Sequence, residues 1–105
     1  MIVTLLRVEC RDDAAAAEFD ALTAKVFQRV SDHEPSTLVF ASHGVEGQPL
    51  TRVFYEVYRD QAAANLHARG KPLRELLARE DSLVAGVQIQ QLTLAQAKGL
   101  PPDAG

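Results

Sequence analysis

The chain has few of the residues that would restrict its compartment or its chemistry. Its 105 residues include one cysteine, one methionine and no tryptophan. The single cysteine, Cys10, cannot form an internal disulfide, so packing alone must hold the fold together, and a reducing, cytoplasmic compartment is expected. One cysteine and three scattered histidines also argue against a zinc cluster.

The sequence also lacks an excess of positive charge and long apolar runs. Eleven Lys and Arg stand against fourteen Asp and Glu, giving a net charge of -3 at pH 7. This acidic balance is unsuited to nucleic-acid phosphates or anionic lipid, so neither nucleic acid nor membrane is expected as a partner. No stretch approaches the roughly 20 apolar residues that span a bilayer, and the N-terminus lacks signal-peptide features.

Length and composition are those of one globular domain. The chain is 47% hydrophobic and 24% charged, which is ordinary for folded proteins and unlike disordered ones. We expect one domain over residues 1–94 and a frayed tail over residues 95–105, because the last seven residues, GLPPDAG, are rich in glycine and proline.

Hydrophobic patterning predicts the element order β-α-β-β-α-β. The predicted strands are residues 2–9, 36–45, 51–59 and 83–94, and the predicted helices are residues 13–33 and 61–69, with a further turn or two after Pro72. The second helical region is expected to break near Gly70, and Gly86 suggests a bulge in the last strand. This order predicts an α+β, ferredoxin-like fold with an antiparallel sheet and both helices on one face.

Both faces of the predicted sheet carry apolar side chains. In the third strand, Phe54 and Tyr58 oppose Val53 and Val57, whereas a sheet with one wet face would alternate between apolar and polar residues. Because a large exposed apolar patch favours aggregation, we expect a second copy of the chain to cover the face without helices. The expected assembly is a homodimer.

Three short motifs occur at successive junctions of the predicted fold. Residues 34–38 read EPSTL, residues 56–60 read EVYRD and residues 63–67 read AANLH. In order and spacing they resemble the Glu-Pro-Gly, Glu-x-aromatic-x-Asp and Ala-x-x-x-His motifs of the antibiotic biosynthesis monooxygenase domain family. The resemblance covers about residues 1–94 and implies a ferredoxin-like domain that pairs into a dimeric α+β barrel.

The chain departs from that family pattern at three points. Phe40 stands where a tyrosine is often found in the second strand, and residues 69–72 read RGKP in place of a Ser-x-His or Pro-His. The third departure is the absence of tryptophan. The haem-degrading branch of this fold uses an Asn, a Trp and a His around the porphyrin, so this absence counts against haem degradation.

His67 and Glu56 are the candidate catalytic residues, because both can accept a proton. His67 lies at the shoulder of the apolar stripe of its helix, where its ring either reaches a cavity or stays half-exposed. Glu56 lies within a strand and is either catalytic or paired, with Arg52 or with a partner across the dimer. The candidate substrate-binding residues, each with a packing or surface role as the alternative, are Asn65, Tyr58, Tyr55, Phe40, Arg52 and Arg7.

The resemblance implies an oxidoreductase, a monooxygenase that works without flavin or metal. A small phenol, hydroquinone or anthrone-like polyketide would lose a proton to His67 in an apolar pocket, and its anion would reduce O2 directly. No cofactor and no metal is expected. Two alternatives stay open: an isomerase or other proton-transfer enzyme on the same scaffold, and a dimer that binds a small molecule without catalysis.

Overall fold

A sheet of four antiparallel strands, in the order β2-β3-β1-β4, forms the centre of the molecule. The computed structural model describes residues 1–100. The strands are β1 (Ile2–Cys10), β2 (Thr37–Val45), β3 (Gln48–Tyr58) and β4 (Val84–Leu92), and the helices are α1 (Asp13–His33), α2 (Gln61–Ala68), α3 (Lys71–Ala78) and α4 (Glu80–Leu83). This order and topology confirm the predicted ferredoxin-like α+β class.

The hairpin between β2 and β3 is tighter than predicted. Val45 pairs with Gln48, so the turn contains only Glu46 and Gly47, and β3 begins at Gln48 instead of the predicted Thr51. Gly47 has a φ of 75°, which glycine adopts without the strain that a Cβ would cause. Backbone pairing therefore extends into a segment whose residue types are typical of a turn.

Three backbone interruptions shape the second half of the chain. The helical region breaks at Gly70, as predicted, and breaks again at Arg79 before the unpredicted single turn α4. In β4, Gly86 pairs with Glu9 while Val84 pairs with Cys10, which leaves one extra residue between them. The bulge predicted at Gly86 is therefore present.

Residues that pair directly across an antiparallel sheet share a face, and this rule assigns the two faces here. On the helix-side face, Leu6 pairs with Phe54, and Phe40 pairs with Glu56. The second face carries Val3, Leu5, Val39, Ala41, Val53, Tyr55 and Val57. The helix-side face holds the core and the candidate site.

The core lies between α1 and the sheet. Its buried members are Val8, Cys10, Ala15, Ala16, Phe19, Phe54, Leu83 and Val84. Phe19 and Phe54 meet edge to face, with ring centroids 6.0 Å apart, a favourable arrangement for aromatic pairs. Cys10 is buried within this cluster as a free thiol.

The end of the chain is only partly described. Residues 93–100 contain no helix or strand, and the other residues of the predicted tail, 101–105, lie outside the described residues. In the part of the chain that is described, none of the helices has the length and apolar character needed to cross a membrane.

Asp60 caps the helix that carries His67, since its Oδ1 accepts a hydrogen bond from the backbone nitrogen of Ala63 at 2.9 Å. We expect Asp60→Ala to lower the free energy of unfolding by about 1 kcal/mol, because the helix loses this cap. Urea denaturation measures the change. Asp60→Asn keeps an oxygen acceptor and should retain most of the stability, so an equal loss in both variants would contradict capping as the cause.

Candidate functional site

A cavity of about 220 Å³ lies between the helices and the helix-side face of the sheet. Most of its wall is apolar and includes Leu6, Phe40, Phe54, Leu73, Leu76 and Ile89. Its polar lining residues are Thr23, Glu56, His67 and Glu80. Sites for drug-sized ligands measure roughly 300–1,000 Å³, so this cavity suits a smaller aromatic compound.

His67 of α2 lines the cavity and is held through one ring nitrogen. Its Nδ1 lies 2.8 Å from Oε1 of Glu34, and the two side chains are only 8% and 2% exposed. An ionised carboxylate can only accept hydrogen bonds, so Nδ1 must carry the proton in this pair. Nε2 is then the nitrogen that can exchange a proton with a compound in the cavity.

Glu34, the C-terminal cap of α1, is fixed by two further side chains. The Thr37 hydroxyl donates to its Oε1 at 2.9 Å, and Nε of Arg29 lies 3.3 Å from its Oε2. A buried carboxylate needs such partners to offset the loss of hydration. Arg29 packs closely against Gly70, where a Cβ would lie 2.5 Å from the Arg29 Nε. The end of α1, the start of β2 and the α2–α3 junction therefore converge on one carboxylate.

Sequence patterns place Glu34 only in a motif and not among the candidate site residues. A signal was nevertheless present, because a carboxylate at the C-terminal end of a helix meets the negative end of the helix dipole. An acidic residue in that position, just before Pro35, needs a partner from elsewhere in the fold. Its position does not reveal that the partner is His67, which is 33 residues away in sequence.

Two aromatic rings pack around the imidazole of His67. The Phe40 ring centroid lies 5.0 Å from that of His67, and the Tyr58 centroid lies 5.3 Å from it. Phe40 in turn packs on Phe27 of α1 at 4.7 Å. With Nδ1 hydrogen-bonded and the ring enclosed, the imidazole has a fixed orientation.

Glu56 lies on the helix-side face and also lines the cavity. The hydroxyl of Tyr58 donates to its Oε1 at 2.5 Å. Burial, together with the charge of Glu56 and this hydrogen bond, raises the pKa of Tyr58 well above its ordinary value. Tyr58 therefore stays protonated and acts as the donor.

The alternative pairing of Glu56 with Arg52 is wrong. Arg52 points to α1, where its Nε and Nη2 donate to the two carboxylate oxygens of Asp20 at 2.9 and 3.0 Å. Arg52 and Glu56 lie on the same face of β3. Arg52 nevertheless pairs with Asp20 of α1 and not with Glu56. Glu56 finds its partner in Tyr58 instead.

The remaining predicted site residues divide between the cavity and other surfaces. Phe40 lines the cavity, and Tyr58 contacts both His67 and Glu56. Asn65 is exposed on α2, and Tyr55 lies on the second face of the sheet. The predicted residues that are not part of the cavity lining are Tyr58, Asn65, Tyr55, Arg52 and Arg7.

The site holds two proton-accepting side chains, His67 and Glu56, in largely apolar surroundings. Such a site can remove a proton from a bound compound and shield the resulting anion from water. In the described part of the chain, no cluster of three or more His, Cys, Asp or Glu residues is arranged to hold a metal ion.

The Glu34 contact predicts the tautomer of His67. When the imidazole is neutral, nitrogen NMR should show a protonated Nδ1 and an unprotonated Nε2. Glu34→Gln should weaken this preference, because an amide can face the ring with either its oxygen or its NH2 group. Glu46→Gln, in the exposed hairpin turn, is the control. A predominant Nε2–H form in the unmodified protein would contradict the assignment.

Solved structures share this fold. A candidate antibiotic biosynthesis monooxygenase from Bacteroides thetaiotaomicron is 21% identical, with a TM-score of 0.84 over 95% of this chain and 93% of that chain. A second from Caulobacter crescentus is 21% identical, with a TM-score of 0.80 over 90% of each chain. A candidate monooxygenase from Lactobacillus acidophilus is 24% identical, with a TM-score of 0.80 over 88% of this chain and 43% of that chain, so this chain spans less than half of it.

The sequence comparisons found no counterpart: no family model and no curated protein matches the chain. The likeness therefore lies in the arrangement of strands and helices, which these proteins share with the chain at 21–24% identity. The chain has the ferredoxin-like fold of solved proteins described as candidate antibiotic biosynthesis monooxygenases.

Proposed function

We propose that the protein is a cofactor-independent monooxygenase that acts on a small aromatic, quinol or polyketide-type compound. One observation carries the proposal: Glu34 holds Nδ1 of a buried imidazole that lines an apolar cavity. The fold shared with candidate monooxygenases agrees with this chemistry. It does not by itself define the reaction.

In the proposed reaction, His67 removes a proton from an acidic phenol or from the methylene group of an anthrone. Glu34 stabilises the positive charge that the ring gains. The substrate anion adds O2 at carbon, and the resulting peroxide takes back the proton from His67. Loss of water then breaks the O–O bond and a C–H bond and leaves a carbonyl group. The substrate supplies all of the electrons, and O2 ends as the carbonyl oxygen and water.

The cavity wall supports this reaction physically. Buried apolar side chains such as Phe19 and Phe54 line its inner part and limit the access of water to a bound compound there, whereas Leu77 and Ile89, which also line it, are 52% and 63% exposed. Glu56, held by Tyr58, provides a second acceptor in the same cavity. Two acceptors in one cavity also favour a second candidate function, an isomerase that moves a proton between two carbons without O2.

Oxygen uptake with anthrone and naphthohydroquinone tests the proposal. His67→Ala should lower kcat by about 100-fold or more, because general bases contribute roughly 100- to 10,000-fold. His33→Ala, at the exposed end of α1, should leave uptake unchanged. Equal uptake by the His67→Ala variant would contradict the role of the imidazole. A rearranged product without oxygen uptake would favour the isomerase. Absence of any turnover would favour a protein that binds a small molecule without catalysis.

We also propose that the second face of the sheet forms a homodimer interface. Towards one end of this face, Leu92 of β4 is 41% exposed and Leu5 and Tyr55 are partly exposed, whereas Val3 and Val57 are already buried within the single chain. At the other end, Arg7 donates to Gln48 at 2.6 Å, and Thr51 donates to Glu9 at 2.6 Å. A face with an apolar part and an ordered polar part suits pairing with a copy of itself.

Light scattering during size exclusion should give twice the mass of one chain at micromolar concentration. Tyr55→Asp places a charge on the second face and should shift the protein to monomer, because an unpaired charge is costly in an apolar interface. Asn65→Asp, on the exposed surface of α2, is the matched control. A monomeric unmodified protein would contradict the proposed dimer.

A further inference from the structure

The cavity contains a polar group that the proposed chemistry leaves unused. Thr23 of α1 lines the cavity and is 6% exposed. Its Oγ1 is buried and has no hydrogen-bond partner among residues 1–100. A buried hydroxyl without a partner is unfavourable compared with the methyl group of valine, which occupies nearly the same space.

The local structure of α1 gives no other reason for a threonine at this position. A helical threonine commonly donates to the carbonyl group one turn earlier in its own helix, but Oγ1 makes no such bond. Thr23 belongs to the buried stripe of α1, together with Phe19 and Val26. The apolar periodicity of this stripe predicts an apolar residue at position 23.

The other buried atom without a hydrogen-bond partner, Nε of Arg29, is explained by its ion pair with Glu34 at 3.3 Å. The hydroxyl of Thr23 is uncharged and has no ion pair to account for it. Thr23 is also the only polar residue that α1 contributes to the lining of the cavity, within the described residues. It approaches the cavity from α1, whereas His67 approaches from α2 and Glu56 from the sheet.

We propose that Thr23 is a second polar anchor for the ligand. The cavity would then take a small aromatic compound with two oxygen functions, one at Nε2 of His67 and the other at the hydroxyl of Thr23. The hydroxyl, which is inaccessible in the unliganded protein, would turn to the ligand by rotation about χ1, since a helical threonine adopts two rotamers. This inference rests on the proposed function, because it takes the cavity as the substrate site. It narrows the substrate class to diols and hydroxy-carbonyl compounds, since a simple phenol leaves one of the two groups unpaired.

Calorimetric titration without O2 tests the proposal as binding alone. The probes are the two naphthols and the isomeric dihydroxynaphthalenes, which share one ring system and differ in the second hydroxyl. The unmodified protein should bind at least one diol about 5-fold more tightly than the better naphthol, as expected for one added hydrogen bond.

Two substitutions separate the hydroxyl of Thr23 from its shape. Thr23→Val should abolish the preference for the diol and leave the naphthol affinity within about 2-fold, because only the hydroxyl is lost. Thr23→Ser keeps the hydroxyl and should keep part of the preference. The Tm of the Thr23→Val variant should equal or exceed that of the unmodified protein, which excludes unfolding as the cause of weaker binding.

The possible results separate this inference from the proposed function. If naphthols bind but no diol binds more tightly, or if the preference survives in Thr23→Val, the second anchor is wrong and the proposed function stands. If neither naphthols nor diols bind, the cavity is not an aromatic site, and the inference falls together with the proposed function.

Discussion

The hydrogen bond between Glu34 and His67 is the contact on which the rest of the site depends. An ionised carboxylate in a protein interior loses several kcal/mol of hydration free energy unless charged or polar partners replace the water. Arg29, Thr37 and His67 provide that replacement here. Because these partners come from α1, the start of β2 and α2, the need to stabilise one carboxylate joins three elements and fixes the imidazole toward the cavity.

The fold could be predicted from the sequence because its elements are encoded locally. Apolar periodicity and the break at Gly70 each depend on a few neighbouring residues, and each agrees with the structure. The hairpin turn was predicted too long because Gln48 and Pro49 are typical turn residues. Their inclusion in β3 depends instead on pairing with neighbouring strands, which single-residue preferences do not contain.

The site could be predicted only in part, because its remaining members are defined by contacts between distant segments. His67, Glu56 and Phe40 were identified and line the cavity. Glu34 and Thr23 were not, since the importance of each depends on what the fold places beside it. Beside Glu34 the fold places the imidazole of His67. Around the hydroxyl of Thr23 it places no hydrogen-bond partner from residues 1–100.

The central claim is that Nε2 of His67 is available to a compound in the apolar cavity. A crystal structure of the protein with a bound naphthol tests this claim most directly. The account predicts that the naphthol oxygen lies within hydrogen-bond distance of Nε2, about 2.6–3.2 Å, with Nδ1 still bound to Glu34. A naphthol bound elsewhere, or an imidazole whose Nε2 is taken up by a protein group, would contradict it.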